Sequence, residues 1–163
     1  MNSKPLFVID ASGYIYRAYH AIAMMTNTKG ESTNALFGFI RSLLKLIKDF
    51  QSENIVAVFD GPDNTQNRKN LYSEYKSHRK KMPEDLGHQI DWAKKFCRLL
   101  GIPLLTIDGV EADDTIGNIA LWAEQNYPNV YLCTTDKDMA QLVTEKINLL
   151  NTYKDNFILG PKE

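Results

Sequence analysis

The sequence has few of the features that would place it in a secreted, membrane-bound or disordered class. Its 163 residues include only two cysteines, Cys97 and Cys133, in apolar surroundings without metal-ligand spacing, and we expect reduced core residues. No apolar run approaches the roughly 18 residues that a membrane span needs. Asp10 occurs too early for a signal peptide. We therefore expect a cytoplasmic protein with no membrane partner.

The chain also lacks an excess of charge of either sign. Its 19 Lys and Arg residues nearly balance 20 Asp and Glu residues, so the net charge is −1. Residues 64–81 nevertheless carry six basic residues and one acidic residue. Because the distribution of charge matters more than its total, near-neutrality does not exclude nucleic acid as a partner.

Five short apolar runs predict the strands of a sheet: residues 6–9, 55–59, 104–107, 130–134 and 147–150. Runs that are apolar on both faces are typical of a parallel sheet covered by helices. The predicted helices lie between them: one capped by Ser32 or Thr33, one over 85–100, and one from near Glu111 to before Pro128. Alternating strands and helices predict one doubly wound α/β domain over residues 1–163.

Residues 61–84 interrupt this alternation. They are polar and basic and include two tyrosines, and they are too long for an ordinary connection between a strand and a helix. Such an insertion is either functional or disordered. Its basic side chains can contact phosphates and its tyrosines can stack on bases, but a solvated basic loop with packed tyrosines is the plainer alternative.

Carboxylates gather where the predicted strands end. Seven belong to the pattern: Asp10, Asp60, Glu111, Asp113, Asp114, Asp136 and Asp138. The carboxyl ends of parallel strands form the ligand-binding edge of such sheets. Unpaired acids there would repel one another, and divalent cations with a preference for oxygen, Mg²⁺ or Mn²⁺, would relieve the repulsion. The pattern predicts a metal site.

Each of these acids also has a purely structural interpretation. Asp10 or Asp60 alone would be a turn or cap residue, and Asp138 could cap a helix. Asp113 and Asp114 alone would be first-turn acids favoured by the helix dipole. Asp108, before Gly109, is interpreted as a turn residue only. The metal prediction depends on all seven acids occurring together.

The sequence as a whole resembles the 5′-nuclease (flap endonuclease-like) superfamily, and within it the 5′→3′ exonuclease domain of bacterial DNA polymerase I. Matching stretches run through nearly the whole chain in family order: residues 7–10, 16–21, 38–39, 42–44, 58–60, 75–79, 82–86, 111–114 and 135–138. Asn67 departs from the family, which often has Phe before the arginine corresponding to Arg68. The packing of the family's helical arch would therefore differ at that point.

This resemblance implies a PIN-like, resolvase-like sheet with a basic helical arch at about 61–84. It implies that two divalent ions, held by the seven acids, hydrolyse a phosphodiester near a DNA 5′ end during replication and repair. Two basic residues, Lys76 and Arg79, would be catalytic. The expected DNA contacts are Arg17, Arg68, Tyr72, Tyr75, Lys80 and Lys81; for Arg17 a surface position on a helix is an equal alternative, and His20 is interpreted as a packing residue.

The resemblance also predicts the larger context. In the family a helical module that grips duplex DNA, further metal-binding aspartates and, in DNA polymerase I, polymerase domains follow this region. We therefore expect a monomeric fragment of a longer chain, able to cleave DNA only weakly by itself. Two alternatives stay open: a nucleic-acid-binding module of the same fold that does not cleave, and a phospho-acceptor receiver domain.

Overall fold

The computed structural model describes residues 3–63 and 82–161, whose strands form one sheet. In chain order the strands are β1 (Leu6–Asp10), β2 (Asn54–Val58), β3 (Leu104–Leu105), β4 (Val130–Cys133), β5 (Ile147–Asn151) and β6 (Phe157–Leu159). Their order across the sheet is β3-β2-β1-β4-β5-β6. Neighbouring strands are parallel except β5 and β6, which are antiparallel. The central position of β1 puts its carboxyl end in the middle of one sheet edge.

Helices cover both faces of this sheet. The described α-helices are α1 (Ala11–Ala21), α2 (Asn34–Phe50), α3 (Glu84–Leu99) and α4 (Ala112–Asn126). Two short 3₁₀ helices span Lys137–Leu142 and Thr152–Lys154. No helix in these ranges is long and apolar enough to cross a membrane.

Alternation along β1 divides the core into two layers. Phe7 and Ile9 pack in the cluster that contains residues of α1, α2 and α3, whereas Leu6 and Val8 pack with residues of α4. Successive side chains of a strand point to opposite faces, so an apolar run without alternation buries both faces. The structure and the family comparison below confirm the predicted doubly wound, mostly parallel architecture.

The predicted strands are all present, but β3 is shorter than expected. Only Leu104 and Leu105 pair with β2, and residues 106–107 leave the sheet. The Val110 N–H donates to the Ile107 carbonyl and Gly109 takes a positive φ of 74°. This turn contains Asp108, as expected, and redirects the chain so that Glu111 returns to the sheet edge.

The connections between strands differ from the prediction in two places. Two helices, not one, join β1 to β2. The first of them was not predicted, because Asp10 both ends β1 and caps α1, so no loop residues mark where the helix begins. Between β4 and β5 the connection is a 3₁₀ helix, not an α-helix.

Strand β6 was absent from the predicted set. It follows a tight turn in which Asp155 and Asn156 have φ values of 52° and 58°. Asp and Asn tolerate this left-handed conformation better than other non-glycine residues. The Asp-Asn pair between two apolar runs was therefore the available signal.

Both cysteines lie in the core, as predicted. Cys97 on α3 and Cys133 on β4 are buried and form no disulfide. Burial raises the pKa of the Cys97 thiol to about 11 and that of Cys133 further still. Both groups therefore stay protonated at neutral pH.

Helices α1 and α2 approach closely because residue 38 has no side chain. A Cβ atom built on Gly38 would lie 2.5 Å from the Ala18 Cβ and 2.6 Å from the Ile22 Cδ1. Both distances are well below van der Waals contact. Gly38 therefore sets the spacing of two helices that together cover one face of the sheet.

We expect Gly38→Ala to lower the free energy of unfolding by about 1–3 kcal/mol, because the added methyl overpacks the contact between α1 and α2. The matched control is Gly117→Ala in α4, where the added Cβ would meet only Leu142 Cδ2 at 4.0 Å. The control should raise stability by about 0.5–1 kcal/mol through helix propensity. Urea denaturation of both variants checks this, and a stabilised Gly38→Ala variant would show that the two helices can separate without cost.

Candidate functional site

The centre of the site is Asp10 at the carboxyl end of β1. Period-two alternation puts its side chain on the same face as Leu6 and Val8, the face that α4 covers. Ile9 is paired with Cys133 in the parallel register of β1 and β4. The next residues, Asp10 and Thr134, therefore lie side by side at the end of their strands.

Two protein groups hold the Asp10 carboxylate. The Gly13 N–H donates to Oδ1 at 2.8 Å, and the Thr134 hydroxyl donates to Oδ2 at 2.9 Å. The first bond is an N-cap of α1. A Cβ on Gly13 would lie 2.2 Å from Asp10 Oδ2, so only glycine lets the carboxylate occupy this position.

Burial raises the pKa of Asp10 from 3.8 to about 6. The residue is only 6% exposed, and loss of hydration disfavours the charged form. The bonds from Gly13 and Thr134 lower the pKa in part, whereas the negative charges of Asp113 and Asp60 raise it. Three predicted ligands are therefore close enough to interact electrostatically.

Asp60 connects the end of β2 to the beginning of α4. Its backbone N–H donates to Ser12 Oγ at 2.8 Å, and its Oδ1 accepts the Ala112 N–H at 2.8 Å. The first turn of a helix exposes unpaired N–H groups and favours negative charge. Asp60 therefore fixes the α4 N-terminus next to Asp10.

The other acids of this edge belong to α4 and to the segment after β4. Glu111 is the N-cap residue of α4 and is 4% exposed, while Asp113 and Asp114 lie in its first turn. Asp136 caps the 3₁₀ helix by accepting the Asp138 N–H at 2.9 Å. Asp114 and Asp138 are exposed.

Thr134 links two of these groups, and the sequence analysis did not single it out. Its hydroxyl oxygen accepts the Asp136 N–H at 3.0 Å while its proton goes to Asp10. It is 3% exposed. The available signal was a hydroxyl residue at the end of a predicted buried strand.

The structure thus brings three predicted ligands, Asp10, Asp60 and Asp113, into electrostatic contact and positions the other four around the same sheet edge. Within residues 3–63 and 82–161, no three carboxylate, imidazole or thiol groups are arranged closely enough to hold a metal ion. The seven-ligand metal site therefore stays a prediction. Asp10 also caps α1, and Asp113 and Asp114 are first-turn acids of α4, as the structural alternatives foresaw. The cap alternative for Asp138 is wrong, because Asp136 caps the 3₁₀ helix and Asp138 lies in its first turn.

The other predicted site residues lie largely outside the described part of the chain. These are Arg68, Tyr72, Tyr75, Lys76, Arg79, Lys80 and Lys81. Arg17 is exposed on α1, with its guanidinium 4.7 Å from the centre of the Tyr153 ring. His20 is also exposed and meets the Tyr19 ring edge-on at 5.2 Å. Its packing is therefore a surface contact.

Comparison with known proteins identifies the family. A family model described as the 5′-3′ exonuclease N-terminal resolvase-like domain matches residues 5–163. The chain belongs to the 5′-3′ exonuclease family. Since the matched region is the resolvase-like domain, the family assignment covers all the described acids of the sheet edge.

Curated members of the 5′-3′ exonuclease family include separate exonucleases and DNA polymerases. The chain is 40% identical to DNA polymerase I of Pseudomonas aeruginosa, matching 99% of this chain and 19% of that protein. It is 40% identical to the 5′-3′ exonuclease of Aquifex aeolicus, matching 93% of this chain and 52% of that protein. The chain thus spans about half or less of the length of these relatives.

Solved structures share the fold of this 5′-3′ exonuclease family domain. The T5 D15 protein co-crystallized with metal ions superimposes with a TM-score of 0.75 at 21% identity, covering 96% of this chain and 58% of that one. The catalytic core of Rad2 in complex with DNA substrate gives a TM-score of 0.58 at 22% identity, covering 96% and 45%. At these identities the likeness establishes the fold.

Replacing Thr134 tests its link between Asp10 and Asp136. Thr134→Val keeps the shape but removes both hydrogen bonds, and we expect a loss of about 1–3 kcal/mol in the free energy of unfolding, because buried partners lose their bonds. Thr134→Ser, which keeps the hydroxyl, should retain most of the stability. Urea denaturation in the presence of EDTA measures both, and equal stability of the valine and serine variants would contradict a structural role for the hydroxyl.

The raised pKa of Asp10 predicts a pH dependence of stability in the metal-free chain. Between pH 3.8 and about 6 the folded state holds a proton that the unfolded state has released, so the free energy of unfolding should fall as the pH rises through this window and then level off. A shift of this size corresponds to a decrease on the order of 3 kcal/mol.

Asp10→Asn should remove this decrease and make the metal-free chain more stable than the wild type above pH 6. The control is Asp91→Asn, an exposed aspartate on α3 that changes the net charge equally. Denaturation profiles from pH 4 to 8 in EDTA provide the measurement. A decrease that persists in Asp10→Asn would assign it to another group.

Proposed function

We propose that this chain is the catalytic domain of a divalent-metal-dependent 5′→3′ exonuclease or flap endonuclease that hydrolyses phosphodiesters near DNA 5′ ends. The proposal is supported by membership of the 5′-3′ exonuclease family and by the acids at the carboxyl edge of the sheet. A role in DNA replication and repair, and polymerase domains on the same longer chain, are part of it, since the Pseudomonas aeruginosa relative is named DNA polymerase I.

One observation carries the proposal: a buried carboxylate, Asp10, interacts with two further negative charges, Asp60 and Asp113. In the described residues the ion pairs are Lys4–Glu53 and Lys45–Asp49, so neither Asp10 nor Asp60 has a basic side chain as an ion-pair partner there. Burying like charges together is unfavourable. A divalent cation among them would reverse this cost.

The chemistry of the donor atoms suits such an ion. A carboxylate offers about four lone-pair sites, and Asp10 uses one on each oxygen for Gly13 and Thr134. Asp60 Oδ1 accepts the Ala112 N–H. Hard oxygen donors favour Mg²⁺ or Mn²⁺ over softer metals. The proposed ligands, shared by two ions, are Asp10, Asp60, Glu111, Asp113, Asp114, Asp136 and Asp138.

The chemistry divides between the ions and the chain. When bound, divalent ions at such sites lower the pKa of a water and stabilise charge on the scissile phosphate. The chain keeps Asp10 oriented through Gly13 and Thr134 and keeps the acids of α4 beside it through Asp60. The chain thereby fixes the positions of these carboxylates before a phosphate binds.

Basic residues would complete the site. We propose that Lys76 and Arg79 offset negative charge on the reacting phosphate, and that Arg17, Arg68, Lys80 and Lys81 contact the DNA backbone. Tyr72 and Tyr75 would stack on unpaired bases. These assignments depend on the family resemblance, and the structure leaves all of them except Arg17 undescribed.

A nuclease assay with a structural control tests the proposal. The chain, in excess over a 5′-labelled duplex with a 5′ flap, should release short labelled products with Mn²⁺ or Mg²⁺ and none with EDTA. Asp113→Asn should lower the rate by at least the roughly 10–100-fold that loss of a residue hydrogen-bonded to a metal ligand costs, because Asp113 is a proposed ligand itself. The matched control is Asp91→Asn, an exposed aspartate away from the sheet edge, which should cleave normally.

Metal binding is measured separately by thermal melts. A divalent ion at 100 times its dissociation constant should stabilise the folded chain by about 2.7 kcal/mol, and Asp113→Asn should reduce that gain. A chain that binds DNA without metal-dependent cleavage would instead be the nucleic-acid-binding module. Absence of both metal stabilisation and cleavage would refute the proposed function.

A further inference from the structure

A second charged feature lies on the face of the sheet that α1, α2 and α3 cover, opposite the face to which Asp10 points, in a groove of about 480 Å³ between the C-terminal half of α3 and the edge strand β3. Its wall includes Lys94 and Arg98 from α3, and its floor includes Phe59, Ile102 and Leu104. Thr106 lines it as well. Among the described residues that line it, none is acidic.

The two basic side chains face the same way. Residues four apart lie on one face of a helix, so Lys94 and Arg98 present their charges to the groove together. The Lys94 ammonium lies 5.5 Å from the centre of the Phe59 ring, a cation–π distance that holds it over the groove floor. Neither residue takes part in the ion pairs of the described segments, Lys4–Glu53 and Lys45–Asp49.

This combination suits one kind of ligand. Two cations that line one groove attract an anion, and the guanidinium of Arg98 can donate two parallel hydrogen bonds to a phosphate. The apolar floor suits the carbon atoms of a sugar ring attached to that phosphate. A phosphodiester backbone offers both parts, whereas a free inorganic ion would use only the cations.

The groove and the candidate site meet at the carboxyl edge of the sheet. Phe59 directly precedes Asp60, and the Thr106 hydroxyl donates to the Asp60 carbonyl oxygen at 3.4 Å. Helix α3 crosses back along β3 between two parallel strands, so Arg98 lies farther from the acidic edge than Lys94. A strand that passes from the acids over this edge and continues between α3 and β3 would therefore meet Lys94 first and Arg98 next.

We propose that this groove is a phosphate-binding subsite for the single-stranded 5′ segment of the nucleic acid on which the acids act. Lys94 and Arg98 bind consecutive parts of its backbone, and the floor of Phe59, Ile102 and Leu104 receives a sugar. That the bound polymer is the nucleic acid cleaved at the acids rests on the proposed function. Its binding chemistry does not require cleavage.

Binding without catalysis tests the subsite. Fluorescence anisotropy of a labelled, 5′-phosphorylated oligothymidylate is measured at several salt concentrations in EDTA, where nothing is cleaved. Lys94→Gln/Arg98→Gln should weaken binding about tenfold at low salt and reduce the slope of log affinity against log salt by about 1.4, which is about 0.7 for each phosphate that is no longer neutralised. The wild-type chain and a duplex of equal length are measured in parallel.

The matched control is Lys48→Gln/Lys95→Gln, which removes the same charge from exposed positions on α2 and α3 that do not line the groove. It should lower affinity less than about twofold. Lys94→Arg/Arg98→Lys keeps both charges and should retain the wild-type salt slope, which separates loss of charge from loss of folding.

Two results would overturn the subsite. Equal weakening by the groove and control variants would mean general electrostatic attraction, and a loss confined to duplex binding would assign the groove to duplex DNA. The nuclease assay gives a separate answer. A chain that never cleaves but binds single strands through Lys94 and Arg98 refutes the proposed function and supports the subsite.

Discussion

The interaction on which the site depends is the buried Asp10 carboxylate with its two hydrogen-bond donors. Gly13 comes from the first turn of α1 and Thr134 from the end of β4, so one side chain joins two elements across the centre of the sheet. The bonds offset only part of the cost of burying a charge beside Asp60 and Asp113. Perturbed pKa values of this kind cluster at functional sites.

Charge is separated over a short distance in this molecule. Acids collect at the carboxyl edge of the central strands, while Lys94 and Arg98 occupy a groove that begins one residue before Asp60. The nearly neutral total charge therefore results from opposing local fields. A polyanionic ligand would be attracted along the groove. It could approach the carboxyl edge of the sheet once bound cations neutralise the acids there.

The sequence predicted the sheet well because its information is local. Runs such as residues 55–59 are apolar at every position, and this pattern is sufficient to identify a strand buried on both faces. The convergence of Asp10, Asp60 and Asp113 was also predictable, since each follows from a strand end or a helix start at one sheet edge. Helix α1 was not predicted, because no turn residues separate it from β1.

Features that depend on contacts between residues far apart in the chain could not be predicted from the sequence. Thr134 matters because the register of β1 and β4 puts it next to Asp10, and register is a property of the assembled sheet. The groove needs α3 to lie at a particular distance from β3, which no residue spacing encodes. The Gly38 contact similarly depends on how α1 and α2 pack.

The strand order has a consequence for how the acidic edge comes into being. Thr134 and Asp10 are 124 positions apart in the chain, and β1 cannot acquire its second neighbour until β4 has been synthesised. Contacts between such remote segments form late, because the intervening chain must lose much of its freedom first. A nascent chain that ends before β4 would lack half of the support for Asp10. The complete arrangement of acids is thus present only in molecules in which β4 has been synthesised and has paired with β1.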